Sequence, residues 1–420
     1  MVTSIYILAD TIMVGQGVGD AGLAALTIFM PIVASFFALG LLLGIGGGVL
    51  MSVAKGSGNE SLAHKYFSTA MISAAVVSVC FAVFGAIFFD PMMYALGADT
   101  TNIELVRGYG LCYTVSAPLF IFSSSLQSFI RNDKSPRHAM IAVLTGSGLN
   151  ILLDYLFIFV FKMGMFGASF ATSIGTSITV CILVIHFFTK KNTMRFSFRF
   201  FSIKALWEIA KCGFSSFLIE CANAVLVFVF NHTLLKYIGS VGVTVYSIMS
   251  NVAVVCMSLF NGVTLAAQPI IATNHGADNH KRVLQVRHIG TITSSVIAVI
   301  IFCVGFFFPD LLIYSYVKGP TPEILELARY ALRIYFFAYL FMNFNIFFSG
   351  YFQSTLRPVA AITIQILRSL LLSSVLVSVL PMIFGADAIW YAVPITECIT
   401  FFVAMAFLFF GRFKKTKDAK

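Results

Sequence analysis

Asp10 interrupts an apolar stretch near the start of the chain, and Asn150 and Asp154 stand four residues apart in SGLNILLDYLFIF. An ionisable side chain inside a membrane-spanning helix costs roughly 2.5–3.5 kcal/mol by insertion scales, so such residues are functional by default. On a helix the four-residue spacing puts amide and carboxylate on one face, about 6 Å apart along the axis. Two carboxylates and an amide facing one cavity can hold Na+ by oxygen ligation. They can equally share a proton, because neighbouring like charges favour protonation of one. Asp154 capping or snorkelling at the membrane interface is the plainer alternative.

Glu220, in SSFLIECANAV, can attract a cationic substrate or carry a proton, or lie at the interface with Lys211 nearby. Glu397 reads in the same way. Arg333 and Arg368 read as buried bases that pair with an acid or snorkel. The run GIGGGVL at 44–50 has no Lys-Ser/Thr after it, so it reads as close helix packing and not as a phosphate loop. Pro31, Pro118, Pro269, Pro381 and Pro394 fall inside apolar runs, where proline kinks a helix and frees carbonyls.

The elements that must position these residues are membrane spans. Of 420 residues, 59% are hydrophobic and 10% charged, against about 45–50% and about 25% in soluble domains. Such a chain cannot dissolve as a globule, and it is too apolar to be disordered. Turn chemistry divides it into about twelve apolar segments. The first is partial, roughly 1–18; the others cover about 22–54, 66–89, 104–130, 137–161, 165–189, 206–235, 240–273, 288–316, 324–354, 358–384 and 387–411. All but the first are long enough to span as helices. No ten-residue alternation of a barrel strand is present. The expected fold class is an all-α polytopic membrane protein.

The net charge of +10 sits in short loops, the footprint of the positive-inside rule and not of nucleic-acid binding. Lys55, Lys65, Arg131, Lys134, Arg137, Lys190, Lys191, Arg195, Arg199, Lys204, Lys281, Arg282, Arg287 and Arg357 fall in alternate loops, read as cytoplasmic together with the basic tail. The opposite loops hold little beyond Lys162, Lys236 and Lys318. Both termini are therefore expected in the cytoplasm. The eight cysteines form no C-x-x-C and read as buried hydrophobes, and no H-E-x-x-H offers a zinc site. The start, MVTSIYILADTIMVG, has no basic n-region and no cleavage site, so it is no signal peptide. It is short for a span, so the chain is expected to begin part-way through a helix, through truncation or a misassigned start.

The halves repeat. KGSGNESLAHKYFSTA matches HGADNHKRVLQVRHIG, with Gly56 on Gly276 and Asn59 on Asn279, an offset of 220. SLQSFIRNDKSPRHAMI matches GYFQSTLRPVAAI, with Gln127 on Gln353, an offset of 226. The expected organisation is an N-lobe over 1–189 (helices 1–6), a cytoplasmic linker over 190–204, a C-lobe over 205–411 (helices 7–12) and a tail over 412–420. Transporters with such repeats bind their cargo where the repeats meet.

In order along the chain, ADTIMVGQGVGDAGLAAL, IRNDKSPRHAMI, LNILLDYLFIF, GMFGASFATSIG, AAQPIIATNHGADNHKRV, ALRIYFFAYLF and GYFQSTLRP resemble the signatures of the multidrug and toxic compound extrusion (MATE) family, in its bacterial DinF/MepA-like branch. The resemblance implies twelve helices in two pseudo-symmetric six-helix lobes around a central cavity. It implies export of organic cations and drugs in exchange for Na+ or H+. Residue by residue, Asp10 matches the first-helix Asp of the N-lobe cation site, Asn150 and Asp154 the fifth-helix N-x-x-x-D, and Thr172 the sixth-helix Thr. Tyr109 matches a fourth-helix Tyr lining that lobe. Glu220 is a looser match to seventh-helix acids that meet substrate. The first half of helix 1, with its family proline, is not in this sequence.

The expectation is a secondary active multidrug exporter in the bacterial inner membrane. It is a monomer among lipids, with no cofactor beyond the coupling ion and no nucleic-acid partner. A lipid-linked oligosaccharide flippase of the same superfamily is the alternative, disfavoured by twelve segments and by acids in the N-lobe. An intramembrane enzyme lacks any nucleophile–base or metal-ligand spacing, and a channel lacks a filter-like motif.

Overall fold

The structure, a computed structural model, describes residues 2–316 and 319–417, with side chains described over 9–222, 225–316 and 319–410. Met1, Lys318 and the charges of the 412–420 tail lie outside the described side chains.

Two compact units divide the chain, residues 1–220 and 221–420. The first contains α1 (Val2–Gly17), α2 (Asp20–Gly56), α3 (Glu60–Ile87), α4 (Phe89–Ala95), α5 (Ile103–Val115), α6 (Ala117–Asn132), α7 (Pro136–Tyr155) and α8 (Gly164–Ile185). Helix α9 (Ile203–Tyr237) runs across the division. The second unit continues with α10 (Ser240–Gly276), α11 (His280–Phe307), α12 (Pro309–Tyr316), α13 (Pro322–Ser354), α14 (Pro358–Ile366), α15 (Leu372–Phe384) and α16 (Ala392–Lys417). All regular structure among the described residues is helical.

Ten helical stretches are long and apolar enough to cross a membrane, and α5 with α6 makes an eleventh, bent by 51°. The bend falls at Ser116, just ahead of Pro118, which opens α6 where its missing N–H costs nothing. With α1 this gives the twelve spans expected, although α1 at 16 residues is only about 24 Å long. Arg333 is a correction to the sequence reading: it is exposed on α13 and is not a buried base.

The repeat is visible in backbone detail. Helices α2 and α10 are each 37 residues, and α3 and α11 each 28. Gly19 and Gly239 enter α2 and α10 at φ 89° and 84°, a region only glycine adopts freely. Asn59 and Asn279 cap α3 and α11 through their side chains. Arg107 forks onto Asp90 just as Arg329 forks onto Asp310. Lys134 and Leu356 share a positive φ, 60° and 54°, two residues before Pro136 and Pro358. The offset is therefore 220 as far as Asp310 and 222 from Arg329 to Pro358. The alignment of Gln127 with Gln353 at 226 is wrong, because Gln127 corresponds to Ser349.

Inside the first unit the glycine run packs as expected. A Cβ on Gly44 would lie 2.7 Å from Ser125 Cα, and one on Gly46 2.3 Å from the Ile209 carbonyl. The segment expected as the cytoplasmic linker is stitched to α3. Ser197 N–H donates to Ser68 Oγ and Ser202 N–H to Thr69 Oγ1.

Candidate cation site

Helices α7 and α8 touch backbone to backbone. A Cβ on Gly146 would lie 2.6 Å from the Gly175 carbonyl oxygen, and one on Gly175 2.8 Å from that of Gly146. Small residues permit this approach. One turn along, Asn150 meets Thr172, and its Nδ2 donates to Thr172 Oγ1 at 3.2 Å. The Thr172 hydroxyl donates in turn to the Ala168 carbonyl at 3.0 Å. The amide is thereby fixed with Oδ1 turned away, and that oxygen has no hydrogen-bond partner.

A further turn on, Asp154 is fully buried, and neither carboxylate oxygen has a partner. Helix α1 packs on α7 and brings Asp10, also buried, within Coulomb range of Asp154. Asp10 Oδ1 is likewise without a partner. The end of α1 rests on Ile158, where a Cβ on Gly17 would meet Cγ2 at 2.1 Å. Ile158 lies in a π-helical turn, Leu156–Val160, that follows Asp154 directly. Turns of this kind recur at functional sites. Asp154 lies about 27 Å along α7 from Pro136, and Asp10 about 10 Å before Gly17. Both carboxylates therefore sit toward the face opposite the 190–204 segment.

Two buried carboxylates within Coulomb range of one another, without a described ion pair, are costly to keep charged together. Each unpaired ion costs several kcal/mol. A proton removes that cost, and so does a cation held by oxygen atoms. The four partnerless oxygens of Asp10, Asn150 and Asp154, with no nitrogen or sulfur among them, fit a hard monovalent cation as readily as a proton.

The MatE family profile matches residues 1–156 and 212–379. The chain belongs to the MatE family. The multidrug export protein MepA of Staphylococcus haemolyticus is 25% identical to it, over the whole of this chain and 92% of its own length. MepA of Staphylococcus saprophyticus is 26% identical with the same coverage. A solved outward-facing structure of a multidrug resistance MATE family transporter of the MOP superfamily has the same fold. Its TM-score is 0.91 at 21% identity, over 99% of this chain and 92% of that one. Membership makes this a multi-pass membrane transporter and not an enzyme.

The structure brings Asp10, Asn150, Asp154 and Thr172 of this MatE chain together. Tyr109 is placed by its rings: it packs on Phe29 at 5.7 Å and Tyr113 at 5.6 Å, and Tyr113 stacks on Phe120 at 4.2 Å. Glu220 is half-buried on α9, the last residue of the first unit.

Two clusters escaped the sequence reading. Asp133, 1% exposed, stands between α6 and α7 and gathers Lys55, His186 and Thr193. Burial pushes its carboxyl up, but hydrogen bonds from Lys55, Thr193 and His186 outweigh this and hold it below the usual carboxylate range. The available signal was a single acid amid the bases of IRNDKSPR. In the second unit Arg368 Nε donates to Glu397 Oε1 at 2.6 Å, and Asn345 Nδ2 donates to Glu397 Oε2 at 2.7 Å, all three buried. Arg368 and Glu397 were each noticed, but nothing in either segment alone pairs them.

Proposed function

We propose that this MatE chain is a secondary active exporter of hydrophobic, often cationic, drugs across the bacterial plasma membrane, in exchange for Na+ or H+. The observation that carries this reading is the set of partnerless buried oxygens on Asp10, Asn150 and Asp154. The full-length likeness to multidrug export proteins supports the choice of cargo.

In this reading the coupling ion is a substrate held by Asp10, Asn150, Asp154 and Thr172. An ion moves the balance between inward- and outward-open states only by binding them with different affinity. Asp10 comes from α1 and Asp154 from α7, so any shift of α1 along α7 changes the ligand set. Tyr109 belongs to the aromatic wall of the same unit, and Glu220 adds preference for positively charged drugs. The basic loops put both termini in the cytoplasm, and the chain works as a monomer. Outward-facing side chains such as Val79, Val83 and Phe84 on α3 meet lipid.

The test is ethidium transport by the purified chain in proteoliposomes, under an imposed Na+ gradient and separately under a pH gradient. One gradient should drive transport, and Asp10→Asn and Asp154→Asn should each abolish it while the protein stays folded. Full gradient-driven transport in both variants would overturn the ion site. No transport under either gradient would overturn drug export in favour of the flippase, whose loss gives an envelope defect.

A further inference from the structure

The two units repeat each other, yet the cation site has no copy. At the offset of 220 Asp10 falls on Phe230. At 222 Asn150 falls on Leu372 and Asp154 on Leu376; past the positive-φ glycines Gly164 and Gly385, which differ by 221, Thr172 falls on Val393. Phe230 stacks on Tyr246 at 4.5 Å, and Phe230 and Leu376 belong to one apolar cluster. Where the first unit buries two carboxylates within Coulomb range of one another, the second packs hydrocarbon.

The offset of 222 fixed at Pro358 places Arg368 on Gly146, and the offset of 221 between the positive-φ glycines Gly164 and Gly385 places Glu397 one residue past the counterpart of Gly175. Gly146 and Gly175 are the two glycines through which α7 and α8 touch. The seam that is bare backbone in the first unit is therefore an ion pair in the second. Arg368 sits in a π-helical turn, Leu367–Leu371, closed by Ser373 Oγ donating to the Arg368 carbonyl at 2.6 Å. Glu397 takes one hydrogen bond from Arg368 and one from Asn345. Among the described residues, Tyr335 and Tyr339 on α13 are titratable groups near enough for the charge of Glu397 to act on them.

We propose that Arg368 is a tethered cation that permanently neutralises Glu397, so that the second unit binds no exchangeable ion, and that removing it turns Glu397 with Asn345 into a second site for H+ or Na+. The proposal rests on the reading of the first unit as the ion site. It assigns Arg368 a role that packing alone does not require: it keeps ion exchange in one unit and so sets how many ions each drug costs. In the wild type the guanidinium travels with the protein and cannot be exchanged across the membrane. Without it the carboxylate must take a mobile cation to remain buried.

The experiment uses the full chain in detergent, with the first site silenced by Asp154→Asn. Thermal unfolding is followed against pH, and against Na+ with choline balancing ionic strength. The Asp154→Asn protein should show little dependence on either. Adding Arg368→Met should create one. A single exchangeable ion changes the folded-to-unfolded ratio up to about tenfold per pH unit or per decade of Na+. Adding Glu397→Gln as well should abolish the new dependence. If Arg368→Met fails to fold, Arg368→Met/Glu397→Gln should recover the fold, since the unpaired charge is gone. The proposal is overturned by a folded Arg368→Met protein indifferent to both cations. It is equally overturned by a Glu397→Gln partner that neither removes the dependence nor recovers the fold. Wild type against Asp154→Asn reads the first site separately: equal indifference there would sink the ion-site reading and leave the Arg368 arm to its own outcome.

Discussion

Asp133→Ala tests whether the buried hub at the 190–204 face holds the first unit together. Asp133 and His186 are each 1% exposed, and the Lys55 side chain is 18% exposed. Removing the carboxylate takes the acidic partner from Lys55 Nζ, which keeps its hydrogen bond to Thr193 Oγ1, and strands the His186 ring and the Thr193 amide. Breaking a buried ion pair by deleting one partner costs about 3–5 kcal/mol. Lys55 keeps some contact with water, which points to about 3 kcal/mol. At 2–4 °C per kcal/mol for a unit of about 200 residues, the midpoint should fall by about 6–12 °C. The assay is thermal unfolding of purified wild type, Asp133→Ala, Lys55→Met and the double variant in detergent, so that the coupling is measured and not inferred. The pH arm has a definite sign. The folded carboxyl lies below its unfolded value of about 3.9, so its stabilisation is complete above that pH and is lost as pH falls through the folded value. The gap between wild type and Asp133→Ala should hold from about pH 5 to 8 and close below about pH 4. A drop under about 2 °C at pH 7, or a gap that widens in acid, would refute the hub.

Replacing the neutral ligands separates the two candidate ions. Asn150→Ala or Thr172→Val removes an oxygen useful to Na+ and nearly irrelevant to a proton on Asp154, so Na+-driven transport should weaken at least about tenfold while H+-driven transport changes little. Gly146→Ala should destabilise by about 1–3 kcal/mol through overpacking, because its Cβ would lie 1.9 Å from Thr179 Oγ1 and 2.6 Å from the Gly175 carbonyl. It should also lower ion affinity without altering a ligand, by pushing Asn150 away from Thr172; unchanged ion dependence of transport in a folded Gly146→Ala protein would show that the glycine seam does not position the site.

The spans were legible because lipid contact demands long apolar runs, and turn residues punctuate them. The candidate cluster was legible for the same reason: a carboxylate among hydrocarbon residues stands out, and an i, i+4 amide beside it shares its helix face. What the sequence hid depends on contact between distant segments. Asp133 reads as one more charge in a basic loop until the fold closes α2, α8 and the 190–204 segment around it. Arg368 was legible as a charge needing a partner, but only packing of the π-helical turn against α16 identifies that partner. Arg333 reads like Arg368 in sequence, yet it faces outward, because composition does not reveal which face of α13 is turned to the core. The misplaced offset of 226 came from matching Gln127 to an identical residue. Backbone features, a positive φ and a helix-opening proline, fix the register more firmly because they answer to geometry and not to side-chain chance.

The same fold therefore runs two different electrostatic designs. Caps, turns and the Asp–Arg forks recur in both units because they satisfy backbone ends and helix junctions that any copy must satisfy. The seam between the last two helices of each unit carries no such obligation, and there the units part. Gly146 and Gly175 let α7 and α8 meet directly, which sets Asn150 on Thr172, and the carboxylate beyond it has no hydrogen-bond partner. Arg368 and Glu397 fill the same seam with charge that is already balanced. A balanced pair adds little net stability, since well-packed hydrocarbon of similar volume would often do as well. An unbalanced pair is worse than either unless something mobile completes it. Of the two arrangements, only that of Asp10 and Asp154 leaves carboxylate oxygens without a protein partner, and on the proposed function that is the one whose stability should depend on a cation from solution.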